Sequence, residues 1–307
     1  MASISDEQCV EGRMENRQGL SLHTMYWPST TKSEEKTIMV FVHGHGCYLK
    51  FELLNVEKPG ETPVYENSWA EYLNSRGIDV CGIDNQGCGT SESARGCRFY
   101  VESFDDYVED VIQYARMVKK EMVADGVRVK MFIAGISLGG CIALNCVLRD
   151  KELFNGMILL APMLSLERVT RKFPNGYLLP LAGLVSYLMP SLAIVATDKN
   201  NVHPDIQELW DEDPLTMHIS TRVRNAYEYI NACSRTMAQL EDIDIPFLVF
   251  HSEIDTMCDP DGSKALYMKS SAKDKALRLV NSMWHVLVKE EGNREILKEI
   301  AEWIILH

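Results

Sequence analysis

Gly135-Ile136-Ser137-Leu138-Gly139 is the run of residues with the sharpest chemical meaning in this chain. A serine hydroxyl is a poor nucleophile at neutral pH. It needs a base, and the base needs an orienting carboxylate. The strand-like Val129–Ala134 precedes this serine, and a helical pattern, Leu138–Leu148, follows it. Between a strand and a helix the serine sits on a strained turn, and glycines two residues either side let neighbouring backbone approach. The helix aims its positive dipole end at developing negative charge. An ordinary glycine-rich turn is the bland alternative. The strand–turn–helix setting favours a nucleophile, Ser137.

A second glycine-rich loop, His43-Gly44-His45-Gly46, follows the strand-like Thr37–Val42. A loop of this kind supplies one backbone N–H to an oxyanion hole, and the residue after the nucleophile supplies the other. The expected donors are the amides of His45 and Leu138. The His45 side chain is not needed for that, and His43 is expected to brace the loop. No carboxylate or cysteine set completes a metal site around these two histidines at recognisable spacing, so no metal is expected.

With a nucleophile on such a turn, the chain order is serine, acid, histidine. Asp255 follows the strand-like Pro246–Phe250, and His285 follows Leu277–Val280. Both fall on loops at strand C-terminal ends, where sites form in open parallel sheets. Glu253, Asp259 and Asp261 share the acid loop as competitors. His251 precedes the acid, His203 and His218 lie in a different region, and His307 is terminal. Order after the elbow selects Ser137, Asp255 and His285 as the catalytic set.

These loops need a frame. Six short apolar runs alternate with helical stretches: Thr37–Val42, Val80–Ile83, Val129–Ala134, Gly156–Leu160, Pro246–Phe250 and Leu277–Val280. The helical stretches include Phe104–Val123, Leu138–Leu148, Gly262–Lys269 and Asn293–Ile305. Continuous apolar strands alternating with amphipathic helices mean a mostly parallel sheet flanked by helices. Met14–Trp27, around Gln18-Gly19, reads as an N-terminal hairpin. From 163 to 240 the rhythm breaks into helical composition with several prolines, read as a helical cap inserted in a single domain of 1–307. Gly176–Thr197 carries no charge and is long enough to span a bilayer. Pro180 and Pro190 interrupt it, and soluble-fold signals flank it, so apolar cap helices lining a pocket are the better reading.

The net charge of −13 repels phosphate backbones and anionic lipid, which argues against a nucleic-acid partner. Nine cysteines without a CxxC pair, several inside apolar runs, suggest a reducing compartment. Met1–Val10 has no basic n-region and no apolar h-region, so cytoplasmic residence is expected. Any membrane contact should be local, peripheral and transient, through the apolar cap.

With these motifs placed, the chain resembles the monoacylglycerol lipase and lysophospholipase-like branch of the α/β-hydrolases, from about Met14 to the C-terminus. The resemblance is carried by His43–Gly46, Asp84–Ser91, Gly135–Gly139, Asp213-Pro214-Leu215, Ile254–Asp259 and His285-Val286-Leu287. Trp69–Ser91 is similar to lysophospholipase-like members from apicomplexan parasites. The resemblance implies the α/β-hydrolase fold with an inserted cap, hydrolysis of acyl esters, and no metal or organic cofactor. Three departures bear on the head group. The branch usually carries Glu at Cys47, Tyr near Trp210 and a second His at Val288. A pocket without them has fewer partners for a diol, so a lysophospholipid fits no worse than a monoacylglycerol. Leu184, Leu188 and Trp210 are the expected substrate-binding residues, the two leucines as part of an acyl tunnel or a lipid-facing surface. A thioesterase or acyltransferase would use the same acyl-serine, and a non-catalytic receptor would keep the fold to bind an apolar ligand. Burst release of p-nitrophenol separates the receptor from the enzymes.

Overall fold

A computed structural model describes residues 8–30, 35–167, 183–196 and 198–307. The first part of the uncharged stretch, with Leu178, Leu179 and Leu181, lies outside the described residues, as does Thr197.

Eight strands make one sheet: β1 (Val10–Glu15), β2 (Ser21–Trp27), β3 (Glu35–Val42), β4 (Ile78–Ile83), β5 (Arg128–Ile136), β6 (Gly156–Leu160), β9 (Phe247–Ser252) and β10 (Lys275–Val280). Their order is β1-β2-β4-β3-β5-β6-β9-β10. β1, β2 and β4 pair antiparallel, and every other pair is parallel. The expected N-terminal hairpin is β1–β2. It turns at Asn16–Leu20, where Gly19 takes φ 77°, a left-handed conformation that glycine adopts without steric cost.

The central strands are apolar on both faces because both faces are covered. Ile38, Val40 and Val42 of β3 join one core layer, while Met39 and Phe41 join the other. The first layer includes α3 (Phe104–Ala124), α4 (Leu138–Arg149) and Tyr229, Ala232 and Cys233 of a further helix, α6 (Val223–Met237). The second takes α2 (Trp69–Ser75) and α8 (Asn293–Leu306), with part of α1 (Leu49–Leu53). Ser103 opens α3 with a reciprocal capping box to Asp106, which fixes where that helix starts. Phe132 of β5 meets the Trp303 ring edge-on at 5.9 Å. Truncating such a buried ring to Ala costs about 3–5 kcal/mol.

Between β6 and β9 the chain leaves the sheet. The described part of this segment holds a helical stretch at 183–188, β7 (Ala193–Val195), α5 (Pro204–Glu212), β8 (Thr221–Arg222) and α6. β7 and β8 form a small antiparallel ribbon of their own. α6 belongs partly to the main core, since Tyr229, Ala232 and Cys233 pack into it. Among the described residues no helix is long and apolar enough to cross a membrane.

Candidate active site

Ser137 stands between β5 and α4 with φ 54° and ψ −119°, a conformation that costs a non-glycine residue roughly 1–3 kcal/mol. The surroundings hold it there. Its N–H donates to the Leu160 carbonyl at 2.9 Å, and its own carbonyl accepts from Gly140 at 3.0 Å and Met163 at 2.9 Å. A Cβ at Gly135 would collide with the Gly139 carbonyl, and one at Gly139 with the Val42 carbonyl. Those two glycines therefore permit the turn and let the His43–Gly46 loop close on it.

That loop lies directly over the elbow: a Cβ on Gly44 would sit 3.5 Å from the Ser137 Cβ. His43 does brace it. The His43 Nε2 accepts the Asn85 N–H at 2.8 Å, and its Nδ1 donates to the Gly44 carbonyl at 2.8 Å. No hydrogen bond among the described residues occupies the His45 amide. Leu138 is the first residue of α4, so its amide has no acceptor within the helix. The His45 side chain is engaged rather than idle. Its Nε2 lies 2.9 Å from Thr221 Oγ1 and its Nδ1 3.0 Å from Tyr229 Oη. Burial, then the neighbouring His43, pushes this imidazole down to about 4, so it is neutral at physiological pH.

Asp255 and His285 meet across the C-terminal ends of β9 and β10. Asp255 Oδ2 accepts from His285 Nδ1 at 2.7 Å. Asp255 Oδ1 accepts the amides of Met257 and Cys258 at 2.7 and 2.9 Å. Burial alone would raise the Asp255 carboxyl, but the facing His285 and the bond from His251 outweigh it and hold it below the usual carboxylate range. Burial likewise works to lower His285. The Asp255 charge and hydrogen bond override it, and the imidazole is raised above its ordinary value. Two of the competitors, Asp259 and Asp261, have other duties. Asp259 caps α7 (Pro260–Lys269) by accepting from Asp261 at 3.1 Å, and Asp261 pairs with Lys264.

Ser137 and His285 line one cavity of about 560 Å³ together with Gly44, His45, Cys47, Glu52 and Trp210. Phe51, Ile136, Met217, Met257 and Val286 supply apolar wall. Trp210 stands in this wall, edge-on to Phe51 at 5.8 Å and donating to the Met217 carbonyl at 3.2 Å. Leu184 and Leu188 are not among the lining residues. They are 58% and 65% exposed, and with Tyr187 they fall three and four residues apart on one outward helical face. This exposure fits a lipid-facing surface better than an acyl tunnel. Cys258 sits under the nucleophile, its Sγ 3.8 Å from Ser137 Oγ. Cys141 is fully buried in the core.

Three polar residues around the site have roles that escape a sequence reading. Glu290 is fully buried, and its carboxylate gathers the amides of Trp284, His285 (3.1 Å) and Val286 (2.9 Å) and the Asn200 side chain (2.9 Å). It shapes the base loop. His251 supports the acid from behind, 3.3 Å from Asp255 Oδ2, with its other nitrogen 2.7 Å from Ser263 Oγ. Glu52 takes the Gly44 N–H on Oε1 at 3.0 Å. Burial pushes this carboxyl up to about 8, against the Gly44 N–H, Cys47 and Lys289, so it is mostly protonated at pH 7.

A mostly parallel sheet, a serine elbow at its centre and an acid–histidine pair at its strand ends define an α/β-hydrolase. Residues 60–292 match the family described as serine aminopeptidase, S33, and the chain belongs to that family. It is 28% identical to the rat monoglyceride lipase over 296 residues, covering 94% of this chain and 88% of that protein. Identity to the human monoglyceride lipase is 26%, with the same coverage. Among solved structures, a soluble variant of the Saccharomyces cerevisiae monoglyceride lipase with a substrate analogue superposes with a TM-score of 0.77 at 17% identity, over 99% of this chain and 96% of that one. The Paleococcus ferrophilus monoacylglycerol lipase does so with a TM-score of 0.71 at 22% identity, over 93% and 99%. The protein is a monoglyceride-lipase-like hydrolase.

Proposed function

We propose that the protein cleaves the carboxylic ester of an acyl glycerolipid, a monoacylglycerol or a lysophospholipid, through an acyl-Ser137 intermediate. One observation carries this reading: the strained Ser137 and the Asp255-bound His285 open on one cavity whose remaining wall is largely apolar. His285 Nε2 takes the Ser137 proton as Oγ bonds to the ester carbon. The amides of His45 and Leu138 hold the resulting oxyanion. Collapse breaks the bond to the alkoxy oxygen, which leaves as an alcohol with the proton from His285. Water then attacks the acyl-serine by the same route and releases a fatty acid. Asp255 keeps the imidazole in the productive tautomer and stabilises its charged form. The similarity to monoglyceride lipases of rat and human supports an acyl-glycerol substrate. Cys47 and Trp210, where that branch carries polar groups, leave the head-group end without those partners, which favours a lysophospholipid as strongly.

The cap, residues 163 to 240 in this reading, would deliver the substrate. Leu184, Tyr187, Leu188, Met189 and Ile194 are all more than half exposed. An acidic protein does not normally leave such a patch in water without a use for it. The patch fits peripheral contact of a cytoplasmic enzyme with a lipid surface. Fatty acid released from long-chain monoacylglycerol and from lysophosphatidylcholine, followed by mass spectrometry with wild type and Ser137→Ala, tests the reading. Release from either by wild type alone supports it, and release from neither defeats it.

A further inference from the structure

The oxyanion loop is held by side-chain contacts as well as by its backbone. The His45 side chain enters a polar relay. Asn225 Nδ2 donates to Tyr229 Oη at 3.0 Å, and Tyr229 Oη lies 3.0 Å from His45 Nδ1. The Tyr229 hydroxyl thus bonds to both Asn225 and His45. The other ring nitrogen, Nε2, lies 2.9 Å from Thr221 Oγ1. Burial, then His43, keeps the ring neutral by pushing the imidazole down to about 4, and a neutral ring has one donor and one acceptor nitrogen, which two hydroxyls can match in either tautomer. The rings of His45 and Tyr229 also meet edge-on, with centroids 5.3 Å apart. One residue further on, the Gly46 carbonyl accepts the Met217 N–H at 2.9 Å, and a Cβ on Gly46 would strike the Met217 side chain. The two bonding partners of His45 differ in kind. Tyr229 is buried in the main core on α6, whereas Thr221 belongs to the β7–β8 ribbon that carries the exposed Ile194.

We infer that the His45 side chain is a positioning residue for the oxyanion hole: Tyr229 and Thr221 clamp its ring and thereby fix the direction of the His45 backbone N–H. The inference rests on the ester-hydrolase reading. A hole donor works by being pre-aimed at the oxyanion, so a loop free to rotate loses transition-state binding while the ground-state ester, held by the acyl cavity, is little affected. Complete loss of one such donor costs about a hundred- to a thousandfold in kcat, so a donor loosened but still present should cost roughly tenfold.

The experiment measures kcat and KM on a soluble p-nitrophenyl ester, and inhibition by a trifluoromethyl ketone whose serine adduct places an oxyanion in the hole. The variants are Tyr229→Phe, Thr221→Val, His45→Ala and the double variant His45→Ala/Tyr229→Phe. Tyr229→Phe removes one oxygen and keeps the ring packing, so it is the decisive variant even if His45→Ala fails to fold. Expected for Tyr229→Phe are a kcat lowered about tenfold, KM within about twofold, and ketone affinity lowered by the same factor as kcat. Thr221→Val should move in the same direction. The double variant should be no slower than His45→Ala, because both changes release one clamp. Unchanged kcat and ketone affinity in Tyr229→Phe would overturn the inference, as would losses that multiply in the double variant. If wild type itself turns over no ester, the ester-hydrolase reading has failed instead, so the two failures are distinguishable.

Discussion

Asp255 divides its two oxygens between the backbone and the base: Oδ1 is spent on the amides of Met257 and Cys258, and Oδ2 faces His285 Nδ1 at 2.7 Å. The carboxylate cannot rotate without breaking three hydrogen bonds, so it presents one fixed oxygen to the imidazole. His251, 3.3 Å from the same oxygen, further restrains it.

Asp255→Asn should therefore keep the loop but favour the wrong imidazole tautomer, lowering kcat by as much as about ten-thousandfold. Asp259→Asn should leave kcat near wild type, because Asp259 serves as a helix cap and Asn caps about as well. Steady-state kinetics on both variants check this. A severe loss in Asp259→Asn with a mild one in Asp255→Asn would reassign the acid.

The pH profile should be bell-shaped. His285 must be neutral to accept the serine proton, and its pKa is raised by Asp255 despite burial. The acid limb of kcat/KM should therefore lie above pH 6.5, and Asp255→Asn should move it down. On the alkaline side Glu52, pushed up by burial to about 8, acquires a negative charge beside the oxyanion loop. The rate should fall as pH passes about 8, and Glu52→Gln should flatten that limb while retaining neutral-pH activity. An alkaline limb unmoved in Glu52→Gln would assign it to another group.

Glu290→Ala should weaken the fold and the base loop together. It strips the acceptor from the Trp284, His285 and Val286 amides. An unpaired buried donor costs about 1–3 kcal/mol, so a loss of about 3 kcal/mol in unfolding free energy is expected. Glu290→Gln, which keeps one acceptor oxygen, should be milder. Urea denaturation of the two variants reads the difference, and equal stability with wild type would remove Glu290 from this role.

The exposed cap face should matter only at a lipid surface. Leu188→Asp should lower hydrolysis of a long-chain ester presented in vesicles several-fold and leave a soluble butyrate ester unchanged. Each buried methylene or methyl contributes about 0.8 kcal/mol, so losing one leucine from a docking face is measurable. Equal loss on both substrates would point to a folding defect or a pocket role, and no loss on vesicles would remove the docking role.

The frame and the chemical groups are written in local pattern. Gly156–Leu160 is read as a strand with the ends of β6, and Leu138 as the start of α4. Those elements are apolar runs closed by turns, so periodicity marks them. α1 and α2 span one to two turns, and β7 and β8 have three and two residues, too few to show a period. The uncharged run through Leu184 and Leu188 reveals apolarity without direction, and the structure turns these residues outward. The clamp on His45 depends on partners 176 and 184 positions away, and no spacing rule links them. Glu290 acts on backbone amides, which have no sequence identity to read.

The most direct measurement is intact-protein and peptide mass spectrometry after incubation with a fluorophosphonate, alongside fatty-acid release from a long-chain monoacylglycerol. A single adduct on the peptide bearing Ser137, absent from folded Ser137→Ala, with fatty-acid release lost in the same variant, is the expected result. An adduct elsewhere, or fatty-acid release that persists in Ser137→Ala, would contradict an acyl-Ser137 mechanism.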